Sequence, residues 1–277
     1  MPPRRLDFAD HRRDLGDNRY VYAVVSRRAG GLSIGVNLNP DKVCNFDCPY
    51  CQVNRTVPGG DARIDVPRLD AELRHLLGLV AAGTLWETPP FDTAAPAHRR
   101  VVDIAFAGDG EPTTPPEFPA AAAAVRVARD ALAPGVPIRL LTNSTMLHRA
   151  RVRAALAYID EPWCKLDAGT EAWYRRVDGT TFPFSRVLRN LRELAAERPI
   201  VIQSMFLTLD GEGASDAEIG AWIERLQEIA AAGTVREVQV YTVARKPAEA
   251  GVGALSAEAL AAIAGRAAAA GLVARAV

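Results

Sequence analysis

Three of the chain's four cysteines stand close together, in Cys44-Asn-Phe-Asp-Cys48-Pro-Tyr50-Cys51, with the spacing C-x3-C-x2-C. Thiolates are soft ligands, and three of them on one short loop suit three irons of a cubane cluster. The fourth iron is then left open, as substrate-binding metal chemistry requires, whereas a fully ligated cluster serves electron transfer or structure. Structural zinc takes four ligands, and no fourth cysteine or histidine lies nearby; Cys164 sits far along the chain. A catalytic zinc with three cysteine ligands stays open on spacing alone.

Further candidates fall at the ends of short β-branched runs. Val101–Ala107 leads into Gly108-Asp109-Gly110-Glu111-Pro112. Glycines permit close backbone approach and unusual dihedrals, and Glu111 can accept a hydrogen bond from an ammonium; a plain turn explains the same residues. Leu140-Leu-Thr142-Asn143-Ser144 places small polar groups at a strand end, where they can equally cap a following helix. In Trp163-Cys164-Lys165-Leu166-Asp167, strand periodicity puts Lys165 and Asp167 on one face and Cys164 on the other. That pair reads either as a structural ion pair or as a functional lysine that binds a carboxylate or, if desolvated, forms a Schiff base. Gln203 interrupts the apolar run Ile200–Phe206 and needs a polar partner, as do Gln239 and Tyr241 on the next run. The histidines, His11, His75, His98 and His148, form no ligand pattern.

These residues need a scaffold, and the sequence supplies alternating strand and helix signals. The strands are expected at Leu32–Leu38, Val101–Ala107, Ile138–Thr142, Trp163–Asp167, Ile200–Leu207 and Val238–Val243, with Tyr20–Val25 as an edge strand. Helices are expected near 67–82, 119–133, 147–158, 171–177, 184–197, 216–232 and 256–270, with Ser215-Asp-Ala-Glu218 and Ser256 as entry caps. Alternation of this kind implies an α/β fold with parallel strands, right-handed crossovers and outer helices, curling into a partial (β/α)6 barrel with its site at the strands' C-terminal ends. Residues 84–100 are proline-rich and irregular. Residues 1–19 read as an N-terminal arm and residues 20–277 as one domain.

At 49% hydrophobic and 24% charged residues, a sizeable core is affordable and global disorder is excluded. Equal numbers of basic and acidic residues, 33 each, give no global attraction to nucleic acid or anionic membrane, and DNA is not an expected partner. No apolar run reaches the ~20 residues that span a bilayer, and the N-terminus lacks a secretory apolar core, so a cytoplasmic protein without a membrane partner is expected.

The cysteine loop, with Tyr50 directly before the last cysteine, resembles the radical S-adenosylmethionine (SAM) superfamily signature. The string from Ser26-Arg-Arg through Gly35-Val-Asn-Leu to Cys51-Gln is similar to the branch described as wyosine-synthase-like iron–sulfur oxidoreductases. The resemblance implies that Cys44, Cys48 and Cys51 hold one 4Fe–4S cluster, that SAM chelates its open iron, and that Tyr50 lies against adenine. Gly108, Asp109, Gly110, Glu111 and Pro112 resemble the superfamily's glycine-glycine-glutamate-proline motif for the SAM amino group, with Asp109 in place of a glycine. Aspartate tolerates left-handed geometry, which would accommodate it there. By the same resemblance Thr142, Asn143, Asp167 and Gln203 fall near SAM, and Lys165 stands where many members carry serine. The implied activity is reductive cleavage of SAM to a 5′-deoxyadenosyl radical that takes a substrate hydrogen, fed by a reductase, flavodoxin or ferredoxin. The substrate classes left open are a tRNA base, a peptide or a small metabolite. No extra cysteines for a second cluster are present, and the arm, with seven arginines against four aspartates in residues 1–28, is only modestly basic. A non-catalytic iron–sulfur carrier or redox sensor, and a zinc-stabilised RNA-binding domain, are the competing readings.

Overall fold

The computed structural model describes residues 15–26, 30–245, 247 and 249–277, and the expected arm over residues 1–19 falls largely outside them. The chain forms two compact units. The first comprises the chain up to Val43 with Pro58–Leu140 and Ala150–Asp160; the second comprises Cys44–Val57, Leu141–Arg149 and Glu161–Val277.

The strands of the first unit are β1 (Val21–Ser26), β2 (Gly31–Val36), β3 (Val101–Phe106) and β4 (Ile138–Thr142), the last two residues of β4 passing into the second unit. Strands β1 and β2 are antiparallel, while β2, β3 and β4 run parallel. Their buried Ile34, Val36, Ile104, Phe106, Ile138 and Leu140 are the β-branched, leucine and aromatic residues that a strand covered on its faces requires. Helix α1 (Val66–Ala81) opens on Asp65, whose side chain accepts from the Arg68 N–H. It buries Leu69, Leu73, Leu76 and Leu77, the i, i+4, i+7, i+8 stripe of an amphipathic helix. It packs on α2 (Phe118–Leu132), which in turn meets α3 (Ala150–Ala155). Residues 84–100 hold three short 3-10 turns.

The second unit contains β5 (Glu161–Lys165), α4 (Glu171–Asp178), α5 (Phe184–Glu197), β6 (Ile200–Met205), β7 (Leu207–Leu209), α6 (Asp216–Ala232), β8 (Val235–Tyr241), β9 (Val252–Ala254), α7 (Ala257–Ala269) and β10 (Ala274–Ala276). Strands β5, β6, β8 and β10 are parallel; β7 and β9 form a separate antiparallel ribbon.

All six expected strands and seven expected helices are present, so the α/β class with a mostly parallel sheet stands. Three expectations are corrected. The strand expected at Trp163–Asp167 ends at Lys165, leaving Asp167 beyond it. The helix expected from Leu147 begins at Ala150, because Thr142–Thr145 close a turn in which Ser144 takes a left-handed φ of 68°. At Ser215 the cap forms, but Glu218 does not return to it; its carboxylate accepts from the Gly169 N–H at 2.5 Å and from Thr170 Oγ1 at 2.6 Å instead. Strands β7, β9 and β10, each three residues long, are too short to carry a period and were not expected. Among the described residues no helix is long and apolar enough to cross a membrane.

Candidate functional site

The cysteine loop lies in the second unit except for its approach through Asn37–Val43, which belongs to the first. Cys44, Cys48 and Cys51 form no disulfide and are half-buried, whereas Cys164 on β5 is fully buried on the opposite face from Lys165, as strand alternation predicts. A tight turn brings the Cys51 N–H to the Cys48 carbonyl at 2.9 Å. Arg55 Nη2 then donates to Cys51 Sγ at 3.5 Å. The Cys48 thiol donates toward the Asp178 carbonyl at 3.5 Å and faces its carboxylate Oδ1 at 3.8 Å. Burial, followed by the charge of Asp178, pushes the Cys48 thiol well above its ordinary pKa.

Tyr50 is buried, and its hydroxyl donates to Asp167 Oδ2 at 2.5 Å and reaches Asp178 Oδ1 at 3.2 Å. Lys165 Nζ contacts the same hydroxyl and pairs with Asp167 Oδ2 at 2.7 Å. The other oxygen, Oδ1 of Asp167, accepts from the Met205 N–H at 2.8 Å. Burial opposes a charge on Lys165, but Asp167 and then Tyr241 outweigh it and hold the ammonium well above its usual pKa. Lys165 is therefore a cation here, which favours carboxylate binding over Schiff-base nucleophilicity. Asp178 is held well above the carboxylate range by burial and then by the neighbouring Asp167. Beside this group, Asn143 Nδ2 donates to Asn45 Oδ1 at 2.7 Å, and Asn45 Nδ2 donates to Thr145 Oγ1 at 2.7 Å. Asn143 thus fastens the cysteine loop, while Thr142 Oγ1 accepts from the Ser144 N–H at 3.0 Å, a local turn rather than a helix cap. Gln203 Nε2 donates to Gln239 Oε1 at 2.9 Å, so each glutamine has a protein partner.

In the first unit, Gly108–Pro112 follows β3 as expected. Neither Gly108 nor Gly110 takes a positive φ, and neither does Asp109, so left-handed geometry explains none of the three. Close approach explains both glycines. A Cβ on Gly108 would stand 2.2 Å from Asn37 Oδ1, and one on Gly110 would stand 2.1 Å from the Val43 carbonyl oxygen. Glu111 is buried and accepts from the Thr113 N–H at 3.2 Å and from the Thr113 hydroxyl. Arg151 ties down the following turn, donating to the carbonyls of Thr113, Thr114 and Pro115 at 3.1, 2.9 and 2.8 Å. Asn39 Oδ1 in this unit and Ser144 Oγ in the second are buried without a partner.

The donor set fits an iron–sulfur cluster: three half-buried thiols on one loop, none of them in a disulfide. Among the described residues no three His, Cys, Asp or Glu side chains converge as a single ion requires. Sequence reasoning missed Asn45, Arg55, Arg151 and Asp178. Only Asp178-Gly179 carried a signal, a glycine closing a helix, and that signal speaks of the cap rather than of the cysteines.

The sequence matches no protein-family model. It is 27% identical over 158 residues to the UPF0026 protein MJ1312 of Methanocaldococcus jannaschii, covering 57% of this chain and 43% of that one. It is 30% identical over 149 residues to a UPF0026 protein of Synechocystis sp., covering 53% and 48% of the two chains. The chain thus spans about half the length, or less, of these curated relatives. Among solved structures, Streptococcus suis SuiB bound to S-adenosylmethionine matches 91% of this chain and 52% of its own, with a TM-score of 0.60 at 14% identity. TYW1 with a lysine-pyruvate adduct bound matches 86% and 73%, with a TM-score of 0.53 at 16% identity. At these identities the likeness is one of fold: the architecture is that of partial radical SAM barrel structures.

Proposed function

We propose that this chain is a radical SAM enzyme, with Cys44, Cys48 and Cys51 as the ligands of one 4Fe–4S cluster. The observation that carries the reading is three half-buried thiols, none in a disulfide, on one loop in a chain with the fold of these enzymes. When bound, the cluster and SAM supply reductive cleavage to a 5′-deoxyadenosyl radical, the hard chemistry that side chains do not perform. The protein's own residues bind, orient and exclude water. Glu111 offers a buried carboxylate for the SAM ammonium, on a turn that Gly108 and Gly110 let pack closely, that Asp109 helps tie to Asn37 and that buried Pro112 continues. Tyr50 presents a buried ring whose hydroxyl is anchored on Asp167. Thr142 and Asn143 shape the turn beside the loop, and Gln203 braces the sheet through Gln239. Lys165 is the group we assign to a substrate or SAM carboxylate, since it is a partly exposed cation held in place by Asp167.

The electron comes from a reductase, flavodoxin or ferredoxin, and the hydrogen donor is a tRNA base, a peptide or a small metabolite. The test is anaerobic reconstitution with iron and sulfide, reduction in the presence of SAM, and quantification of 5′-deoxyadenosine, with Cys48→Ala as the blank. Deoxyadenosine from the intact protein alone supports the reading. A cluster that leaves SAM intact in the presence of each substrate pool favours the electron-carrier reading instead, and zinc without a cluster refutes both.

A further inference from the structure

The segment Asp178-Gly179-Thr180, at the C-terminal end of α4, touches four residues of the cysteine loop. The Asp47 N–H donates to the Gly179 carbonyl at 3.2 Å. Thr180 Oγ1 donates to the Asn45 carbonyl at 3.4 Å. The Cys48 thiol meets the Asp178 carbonyl at 3.5 Å, and the Tyr50 hydroxyl meets Asp178 Oδ1 at 3.2 Å. Every one of these contacts lies within the second unit.

The approach is as close as a backbone allows. Gly179 closes α4 in the left-handed region at φ 56°, and a Cβ there would stand 2.0 Å from the Asp47 carbonyl oxygen. A side chain at this position would both strain the turn and push the loop away. Asp178 is 2% exposed and Thr180 is 9% exposed, so these are buried contacts rather than chance surface ones. The residues between Cys44 and Cys51 have no helix or strand of their own to hold the sulfurs. Their positions must come from what the loop leans on.

We propose that Asp178, Gly179 and Thr180 are positioning residues that seat the cysteine loop and thereby set where Cys48 and Tyr50 stand when a cluster is bound. The inference rests on the cluster assignment made above. Groups that orient metal ligands without ligating them typically govern metal retention by about 10–100-fold. The seat has that relation to Cys48, and through Tyr50 it reaches the Lys165–Asp167 pair as well. Cluster retention and substrate orientation therefore share one support.

The experiment compares Gly179→Ala, Asp178→Ala, Asp178→Asn and Thr180→Val with the unmodified full chain. Iron content is measured after anaerobic reconstitution, then the rate of iron release to a chelator and the electron paramagnetic resonance spectrum of the reduced cluster. The expected result is iron release about tenfold faster in Gly179→Ala and Asp178→Ala, with an altered spectrum. Asp178→Asn, which still accepts from Tyr50, should behave as the unmodified protein. Wild-type release rates and spectra in Gly179→Ala and Asp178→Ala would overturn the inference. If those two fail to fold, Thr180→Val decides by the same readouts. If the unmodified protein takes up no cluster, the cluster assignment fails. The seat is then judged on the apoprotein, where faster alkylation of Cys48 in the variants supports it and an unchanged rate overturns it.

Discussion

Asn37 and Asp109 hold each other in both directions: Asn37 Nδ2 donates to Asp109 Oδ2 at 2.7 Å, and the Asp109 N–H donates to Asn37 Oδ1 at 3.1 Å. This pairing accounts for an aspartate where the motif it resembles carries glycine. The residue stays out of left-handed geometry and is selected by its partner at the end of β2. Asp109→Gly is expected to destabilise by about 1–3 kcal/mol, because the buried Asn37 amide loses its acceptor. Asp109→Asn keeps an acceptor and should cost less. Urea unfolding of the two variants side by side checks the difference.

Glycines in this chain sort by what surrounds them. Gly110→Ala must displace the Val43 carbonyl from 2.1 Å, and overpacking of this kind costs about 1–3 kcal/mol. Gly265 on α7 is exposed, with nothing within 4 Å of an added Cβ. Gly265→Ala should therefore stabilise the protein by about 0.5–1 kcal/mol, the difference between glycine and alanine inside a helix. Thermal melts should move in opposite directions, and a loss of stability at Gly265→Ala would contradict the helix assignment.

Much of the scaffold is legible in the sequence because its signals are local. The leucine stripe of α1 and the β-branched runs of β3 and β6 declare their periods within a few residues. The ion pair of Lys165 with Asp167 follows from a two-residue spacing, even though the strand stops before its second member. What is not legible depends on residues distant in sequence. Nothing near Cys48 announces Asp178, and nothing near Gly110 announces the Val43 carbonyl. Glu218 carries a good local signal that is overridden, since the N–H groups at 169–170 offer its carboxylate a buried set of donors.

The Lys165–Asp167 pair is asymmetric. Asp167 is fully buried and also accepts from Tyr50 and Met205, whereas Lys165 retains some exposure. Asp167→Ala strands a cation and a backbone N–H and leaves the Tyr50 hydroxyl only its longer contact with Asp178, and should cost about 3 kcal/mol or more. Lys165→Met leaves Asp167 with its two other donors and should cost clearly less. If chemical denaturation ranks the two variants the other way, Asp167 is not the anchor of this group.

His148 supplies a pH dependence. Burial, then the positive charge of Arg149 and more weakly of Arg186 and Arg189, lowers its pKa below the ordinary 6.5, with the Thr145 backbone partly opposing. Between the folded pKa and 6.5 the unfolded chain binds more protons, so stability rises with pH across that window. The contribution is complete above 6.5 and is lost as pH falls through the folded value. Unfolding midpoints should drop on acidification by more in the unmodified protein than in His148→Gln. Equal drops would show that His148 is not a source of the acid sensitivity.

Arg55 Nη2 donates to the Cys51 sulfur of the loop at 3.5 Å. Hydrogen bonds and positive charge at a cluster sulfur stabilise the reduced state and raise its potential. In the reconstituted protein, Arg55→Met should therefore shift the reduction potential to more negative values, whereas Arg55→Lys keeps the charge and should recover part of the shift. Potentiometric titration followed by electron paramagnetic resonance reads both. A potential unchanged in Arg55→Met would mean that the guanidinium turns away from Cys51 once the cluster is bound, and that its contact in the free chain serves the loop alone.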